Sequence, residues 1–315
     1  MDTDTPPLEQ TNPGTPVRNW MVAAVQMVSG PHLDRNLGTV ERWVALAAAR
    51  GAALVVLPEN FALMDSSGIA ALGQAESSPQ GPVRRFLADL AHRHGVWLVA
   101  GSLPDTLCPD GRSAAPKVHS VCRLYDPSGQ ERCRYDKVHL FDAEVDDATG
   151  TYPESDRFEA GIRLVCTSLQ ERAVPADPGA EAPRIGLSIC YDLRFPELYT
   201  ALRGAGADLF AVPSAFTHET GRAHWEVLLR ARAIENQVFV IAANQGGLHS
   251  GGRRTWGHSM IVDPWGRVLD EVRDDGEGLA LAEVDMRWLA AVRSAMPLRA
   301  HRRVTQDAGG TLRLL

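Results

Sequence analysis

The run "GLSICYDLRFPELY", Gly186 to Tyr199, decides how this chain folds. Ile185 to Ile189 read as a buried β-strand, and Pro196 opens helices at their first turn, where a missing N–H costs nothing. Cys190 therefore sits at a strand-to-helix corner, followed at once by charge. In α/β proteins sites form at such corners, because the backbone is held rigidly while side chains face a crevice.

Outward from that corner the same alternation recurs. Trp20 to Met27 is a short apolar strand, Leu33 to Arg50 has helical spacing, and Ala53 to Leu57 returns to strand. Pro82 to His94 sets Val83, Phe86, Leu87 and Leu90 on one helical face, and Gly95 to Ser102 is the next strand. Ser120 to Tyr135 is two runs around Asp-Pro-Ser-Gly, a hairpin with Asp first, Pro second and Gly fourth in the turn. His258 to Val272 repeats the device with Asp263, Pro264 and Gly266, so two similar sheets are expected. Between the hairpins come a strand at Ile162 to Thr167, a surface loop at Ala173 to Pro183, the cysteine strand and a helix from Pro196 to about Gly204. Asp208 to Val212, a helix from Ala223 to Asn236 and a strand from Val238 to Asn244 follow. Leu248 to His258 holds Gly-Gly without a phosphate-loop lysine and reads as a mobile loop. The expectation is α/β with mixed sheets, each covered by helices on one face. One domain is expected over 20–303, between a disordered tail at 1–19 and a C-terminal tail at 304–315.

The chain of 315 residues is 44% hydrophobic, enough for a sizeable core. Its five cysteines include no CxxC pair, which argues against a disulfide framework or a structural zinc site and for a reducing compartment. Met1 to Asn19 is rich in Pro, Thr and acidic residues, and reads as a disordered tail and not a signal peptide. No apolar stretch approaches the roughly 20 residues of a membrane span. A formal net charge of -7 with scattered Lys and Arg leaves no basic face for phosphates. The expectation is a soluble cytoplasmic protein that binds neither nucleic acid nor membrane.

Three strand ends carry reactive residues: Glu59 in "VVLPEN", Lys137 in "RYDKVHLFD", and Cys190. A thiol of ordinary pKa, about 8.5, is only a few per cent thiolate near neutral pH and needs a base, which Glu59 can supply. Attack on a carbonyl creates an oxyanion, and Lys137 and the Tyr191 amide can supply its donors, each worth on the order of 3 kcal/mol. The bland reading of the three is a buried core thiol, a turn cap and a surface ion-pair partner. A Cys–His protease pairing with His139 or His218 is the other enzyme reading. His119, Cys122 and Cys133 fall across one hairpin without the close spacing of metal ligands, so no metal is assigned.

In that order, "LPEN", "YDKVHLFD" and "GLSICYDLRFPELY" closely resemble the nitrilase superfamily of carbon–nitrogen hydrolases, over about Trp20 to Arg303. The segment from Pro213 to Gly247, followed by "GHSMIVDPWG", resembles most the branch that contains deaminated glutathione amidase and omega-amidase. The resemblance implies an α-β-β-α sandwich, a cofactor-free amidase that acts on a small linear amide through a thioester and releases ammonia, and a homodimer or larger homo-oligomer. It assigns Glu59 as general base and acid, Lys137 as oxyanion stabiliser and Cys190 as nucleophile. A second glutamate that positions lysine and substrate corresponds to Glu154; Glu144 competes, because this segment is a residue longer than the family pattern. Tyr-Asp-Leu-Arg after the cysteine points to small amidases, away from nitriles. Arg194 can pair with a substrate carboxylate, or with Glu197 or Asp192. Phe195, Phe216 and Thr217 are expected to line the pocket, unless the two rings serve core packing.

Overall fold

The computed structural model describes residues 19–147, 149–170, 182–306 and 312–314. First come β1 (Trp20–Gln26), α1 (Leu33–Ala49), β2 (Leu54–Val56), α2 (Ile69–Glu76), α3 (Pro82–His94), β3 (Trp97–Val99), β4 (Leu103–Asp105) and the hairpin of β5 (His119–Tyr125) and β6 (Glu131–Asp136). A small ladder of β7 (Asp142–Glu144) and β8 (Thr151–Pro153) precedes β9 (Cys166–Ser168), β10 (Arg184–Leu187), α4 (Pro196–Gly204), β11 (Leu209–Ala211), α5 (His218–Asn236) and β12 (Phe239–Ala242). Then follow the pair β13 (Gly246–Leu248) and β14 (Arg254–Trp256), the hairpin of β15 (Met260–Val262) and β16 (Val268–Glu271), and β17 (Gly278–Val284). Last are α6 (Met286–Ala295), α7 (Leu298–His301) and the paired β18 (Val304–Gln306) and β19 (Leu312–Leu314).

Seven strands form one sheet in the order β17-β1-β2-β3-β5-β4, with β6 also on β5; six form a second in the order β16-β15-β12-β11-β10-β9. Both follow one plan: three parallel strands, β1-β2-β3 or β10-β11-β12, with an antiparallel strand on one side and an antiparallel hairpin on the other. The plan is written in the turns. Asp126 Oδ1 accepts from the N–H groups of Ser128 and Gln130 at 2.9 and 3.0 Å, and Asp263 Oδ1 from those of Trp265 and Arg267 at 2.9 and 2.8 Å. Gly129 and Gly266, at φ +80° and +84°, take the left-handed corner that an L side chain resists.

Strand periodicity then sorts the side chains into layers. Val22, Ala24, Leu54, Val56, Trp97 and Val99 share a core with Ile185, Leu187 and Ile241 of the second sheet and with Leu198 and Leu229 of α4 and α5. Their neighbours Ala23, Val25, Val55, Leu57 and Leu98 pack instead with Val40, Val44, Val83, Leu87 and Leu90 of α1 and α3. The layers are therefore helix, sheet, sheet, helix, as expected. Truncating a fully buried member such as Leu87 to Ala costs about 2–5 kcal/mol.

Several local expectations shift. The strand placed at Ile162 to Thr167 is Cys166–Ser168, and Ile162 is 90% exposed. The helix placed at Ala223 begins at His218, and α2 had no counterpart in the pattern. Part of the expected C-terminal tail, Val304–Gln306, pairs with Leu312–Leu314. The expected disordered tail through residue 18 and most of the Ala173 to Pro183 loop lie outside the described residues.

Candidate active site

Cys190 stands at φ +49° directly after β10, a backbone setting a non-glycine residue adopts only under constraint, at about 1–3 kcal/mol. Two anchors impose it. The Cys190 N–H donates to the Pro213 carbonyl at 2.8 Å, and the Ile189 N–H donates to Asp192 Oδ2 at 2.8 Å, closing the turn. Asp192 is fully buried and also accepts from the Tyr135 hydroxyl at 2.7 Å and from the His139 N–H at 3.0 Å, with His139 Nδ1 at 2.7 Å. Tyr135 and His139 straddle Lys137, so one carboxylate locks the cysteine corner to the lysine corner.

Glu59 arrives just past β2, at the same end of the first sheet as Lys137 past β6. Its carbonyl accepts from Gln245 Nε2 at 3.0 Å, and the Asn60 N–H donates to Ser102 Oγ at 2.9 Å. Gly101 closes against this segment: a Cβ there would fall 2.0 Å from the Pro58 oxygen, at φ +47°. Glu59 is 4% exposed and Lys137 is 2% exposed. Lys137 Nζ donates to Glu59 Oε1 at 2.8 Å and to Glu154 Oε1 and Oε2 at 2.9 Å each. Glu154 is set by the Phe141 N–H, which donates to its Oε2 at 2.6 Å. Glu144, the competing match, is an exposed residue of β7, whereas Glu154 contacts Lys137.

The charges explain one another. Burial pushes the Lys137 ammonium down, but the carboxylates of Glu154 and Glu59 more than offset it and hold its pKa well above the ordinary value. Burial pushes the Cys190 thiol well up and the Glu59 charge adds to that, while Lys137 and the Ala215 N–H oppose. A pKa raised in this way favours the neutral thiol beside the Glu59 carboxylate, which suits base-assisted attack.

These groups line a cavity of about 530 Å³, within the range of small-molecule sites. Of the residues expected in its wall, Tyr191, Arg194, Phe216 and Thr217 are there. Phe195 is not in that wall; its ring stacks on the His139 imidazole, centroids 3.7 Å apart, completing the packing around Asp192. Arg194 makes neither expected ion pair: its Nη1 meets His224 Nδ1 at 3.1 Å, its guanidinium lies over the rings of Phe216 and Tyr191 at 5.2 and 5.8 Å, and burial lowers its pKa. Neither His139 nor His218 lines the cavity. His249 does, with both nitrogens engaged, by the Ser29 carbonyl at 2.8 Å and Thr255 Oγ1 at 2.6 Å; burial pushes its pKa down to about 4, so it offers no base. The hairpin trio is not assembled: Cys122 and Cys133 belong to the inter-sheet core, while His119 Nε2 lies 3.3 Å from Cys108 Sγ.

Sequence reasoning missed Arg253 and gave Asp192 and His139 other roles, as an Arg194 partner and a possible base, because their joint contact spans distant parts of the chain. The signal for Asp192 was present in its position two residues after the nucleophile, inside the turn it closes.

A profile of the carbon-nitrogen hydrolase family matches residues 21–294. The deaminated glutathione amidase of Synechocystis is 43% identical over 288 residues, covering 91% of this chain and 99% of that one. Among solved structures, the Caenorhabditis elegans NitFhit protein aligns with TM-score 0.77 at 33% identity, over 93% of this chain and 69% of its own. A variant of the amidase from Nesterenkonia, carrying the product of Michael addition of acrylamide at its active-site cysteine, aligns with TM-score 0.68 at 28% identity, over 89% of this chain and 99% of its own.

Proposed function

Because the chain belongs to the carbon-nitrogen hydrolase family, within the nitrilase superfamily, we propose that Cys190, Glu59 and Lys137 hydrolyse the amide of deaminated glutathione through a thioester. That the protein is a hydrolase of carbon–nitrogen bonds other than peptide bonds is common ground with its relatives. The observation that carries the finer reading is the convergence of Glu59 and Glu154 on Lys137 beside the Cys190 thiol.

In this mechanism Glu59 takes the thiol proton as sulfur attacks the amide carbon. The carbonyl oxygen becomes an oxyanion, met by Lys137 Nζ and the Tyr191 N–H, one of the first-turn amides that no intrahelical acceptor occupies. Lys137 has three N–H groups and three carboxylate oxygens on them at rest, so it must share one donor with the oxyanion. Collapse breaks the C–N bond, and the amine leaves with the proton held by Glu59. Water then attacks the thioester, Glu59 takes its proton, and the thiol is restored as the acid departs. The expected release of ammonia holds for primary amides only. Deaminated glutathione would yield 2-oxoglutarate and cysteinylglycine, while 2-oxoglutaramate would yield 2-oxoglutarate and ammonia.

Product analysis by mass spectrometry on both compounds, with wild type and Cys190→Ala, tests the reading. Cysteinylglycine formed by the wild type alone supports it, whereas turnover surviving in Cys190→Ala removes the nucleophile. Exclusive cleavage of 2-oxoglutaramate would favour the omega-amidase reading. The homodimer implied by resemblance would cover the face of α4 and α5, where Val227 and Ile234 are exposed; a monomer in analytical ultracentrifugation would exclude it.

A further inference from the structure

We infer that Arg253 anchors a second carboxylate of the substrate, so that the cavity takes dianionic amides with one carboxylate on Arg194 and another on Arg253; this rests on the amidase reading above. Arg253 lies in the cavity wall, half-buried, on the loop between β13 and β14. Its Nη2 donates to the Ala215 carbonyl at 3.0 Å and its guanidinium lies over the Tyr152 ring at 5.4 Å. Its Nε is buried without a hydrogen-bond partner, and it has no carboxylate within ion-pair reach among the described residues. Asp147 feels its charge, yet spends its oxygens on the Tyr152 hydroxyl at 2.7 Å and the N–H groups of Thr149 and Gly150 at 2.9 and 3.0 Å.

A half-buried guanidinium without a counter-ion is costly unless a ligand supplies one. This one is also held in place. The His249 N–H donates to the Arg253 carbonyl at 2.8 Å, and the His249 ring is clamped between Ser29 and Thr255. The segment expected to be a mobile loop thus holds a guanidinium in the cavity wall, a group suited to recognising carboxylates.

Arg194 is another half-buried guanidinium of this wall, with no carboxylate within ion-pair reach among the described residues, and it comes from the turn after Cys190, on different rings. Arg157, the third arginine of the wall, is exposed, so solvent screens it. A substrate with a single carboxylate leaves one of the two half-buried cations unanswered. Deaminated glutathione, with a 2-oxo acid at one end and a glycine carboxylate at the other, answers both.

The test compares deaminated glutathione, its C-terminal glycinamide and 2-oxoglutaramate as substrates for wild type, Arg253→Gln and Arg253→Lys, with urea midpoints confirming folding. Calorimetry measures binding of the first two to Cys190→Ala, with and without Arg253→Gln. Losing one charge-assisted contact should cut kcat/KM on the dianion about 10- to 100-fold, mainly through KM, and change the two monoanions by less than about 3-fold. Lysine should restore part of the loss. Equal losses on all three substrates, or none, overturn the inference while leaving the amidase intact. If nothing is hydrolysed, Arg253-dependent binding of the dianion alone keeps the inference and overturns the amidase reading; binding without that dependence, or no binding, overturns both.

Discussion

The Tyr135 hydroxyl donates to Asp192 Oδ2 at 2.7 Å, joining the strand that leads to Lys137 with the turn that begins at Cys190. Asp192→Asn keeps the volume but turns one acceptor oxygen into a donor facing other donors. The change should destabilise the fold by about 2–4 kcal/mol in urea and lower kcat more than it raises KM. An unchanged urea midpoint would mean the junction carries no strain.

Glu59→Gln removes the base while keeping the shape. It should lower kcat about 10²- to 10⁴-fold, with circular dichroism unchanged. In the wild type, thiolate absorbance near 240 nm that is absent in Cys190→Ala should show no step at or below the ordinary thiol value of about 8.5. A step near neutral pH would indicate a resting thiolate and overturn the base-assisted scheme.

Lys137→Leu leaves Glu59 and Glu154 facing one another without their shared cation. At neutral pH this should cost about 3–5 kcal/mol, because a buried charge loses its partner. An unchanged urea midpoint in Lys137→Leu at pH 7 would refute this.

His249 makes stability depend on pH in a definite direction. Its folded pKa is held down to about 4, by burial first and by the Arg253 charge as well, against an ordinary 6.5. Below pH 6.5 the unfolded chain takes up the proton and the folded chain does not, so its contribution is present above 6.5 and lost as pH falls toward 4, up to about 3 kcal/mol. His249→Gln should flatten that part of the urea-midpoint profile. An equally steep profile would assign the slope to other groups.

Much of this was legible because it is local. Pro82 and Gly95 bracket α3, and apolar spacing between them names its buried face. The Asp-Pro-x-Gly turns announced both hairpins, hence both sheets. The Ile162 strand failed because "IRLVCTS" has strand-like residues but Ile162 finds no sheet neighbour. The start of α5 was hidden by a polar first turn containing Gly221, where a Cβ would fall 2.2 Å from the Trp256 Cβ; the glycine serves packing that the helix pattern cannot display. Glu154 against Glu144 depended on loop length, a property of the assembled molecule.

The pairing of β1 with β17, Trp20 opposite Val284 and Gln26 opposite Gly278, sets an order of events during synthesis. Until residue 284 is made, one edge of β1 has unpaired N–H and C=O groups, a template for other chains. Contacts this distant in sequence also form slowly. A polypeptide stopped short of Gly278 would hold Glu59, Lys137, Glu154 and Cys190 and yet lack the strand that completes the first sheet. The hazard for this protein therefore falls in the interval between translating its first strand and its seventeenth, when aggregation competes with closure.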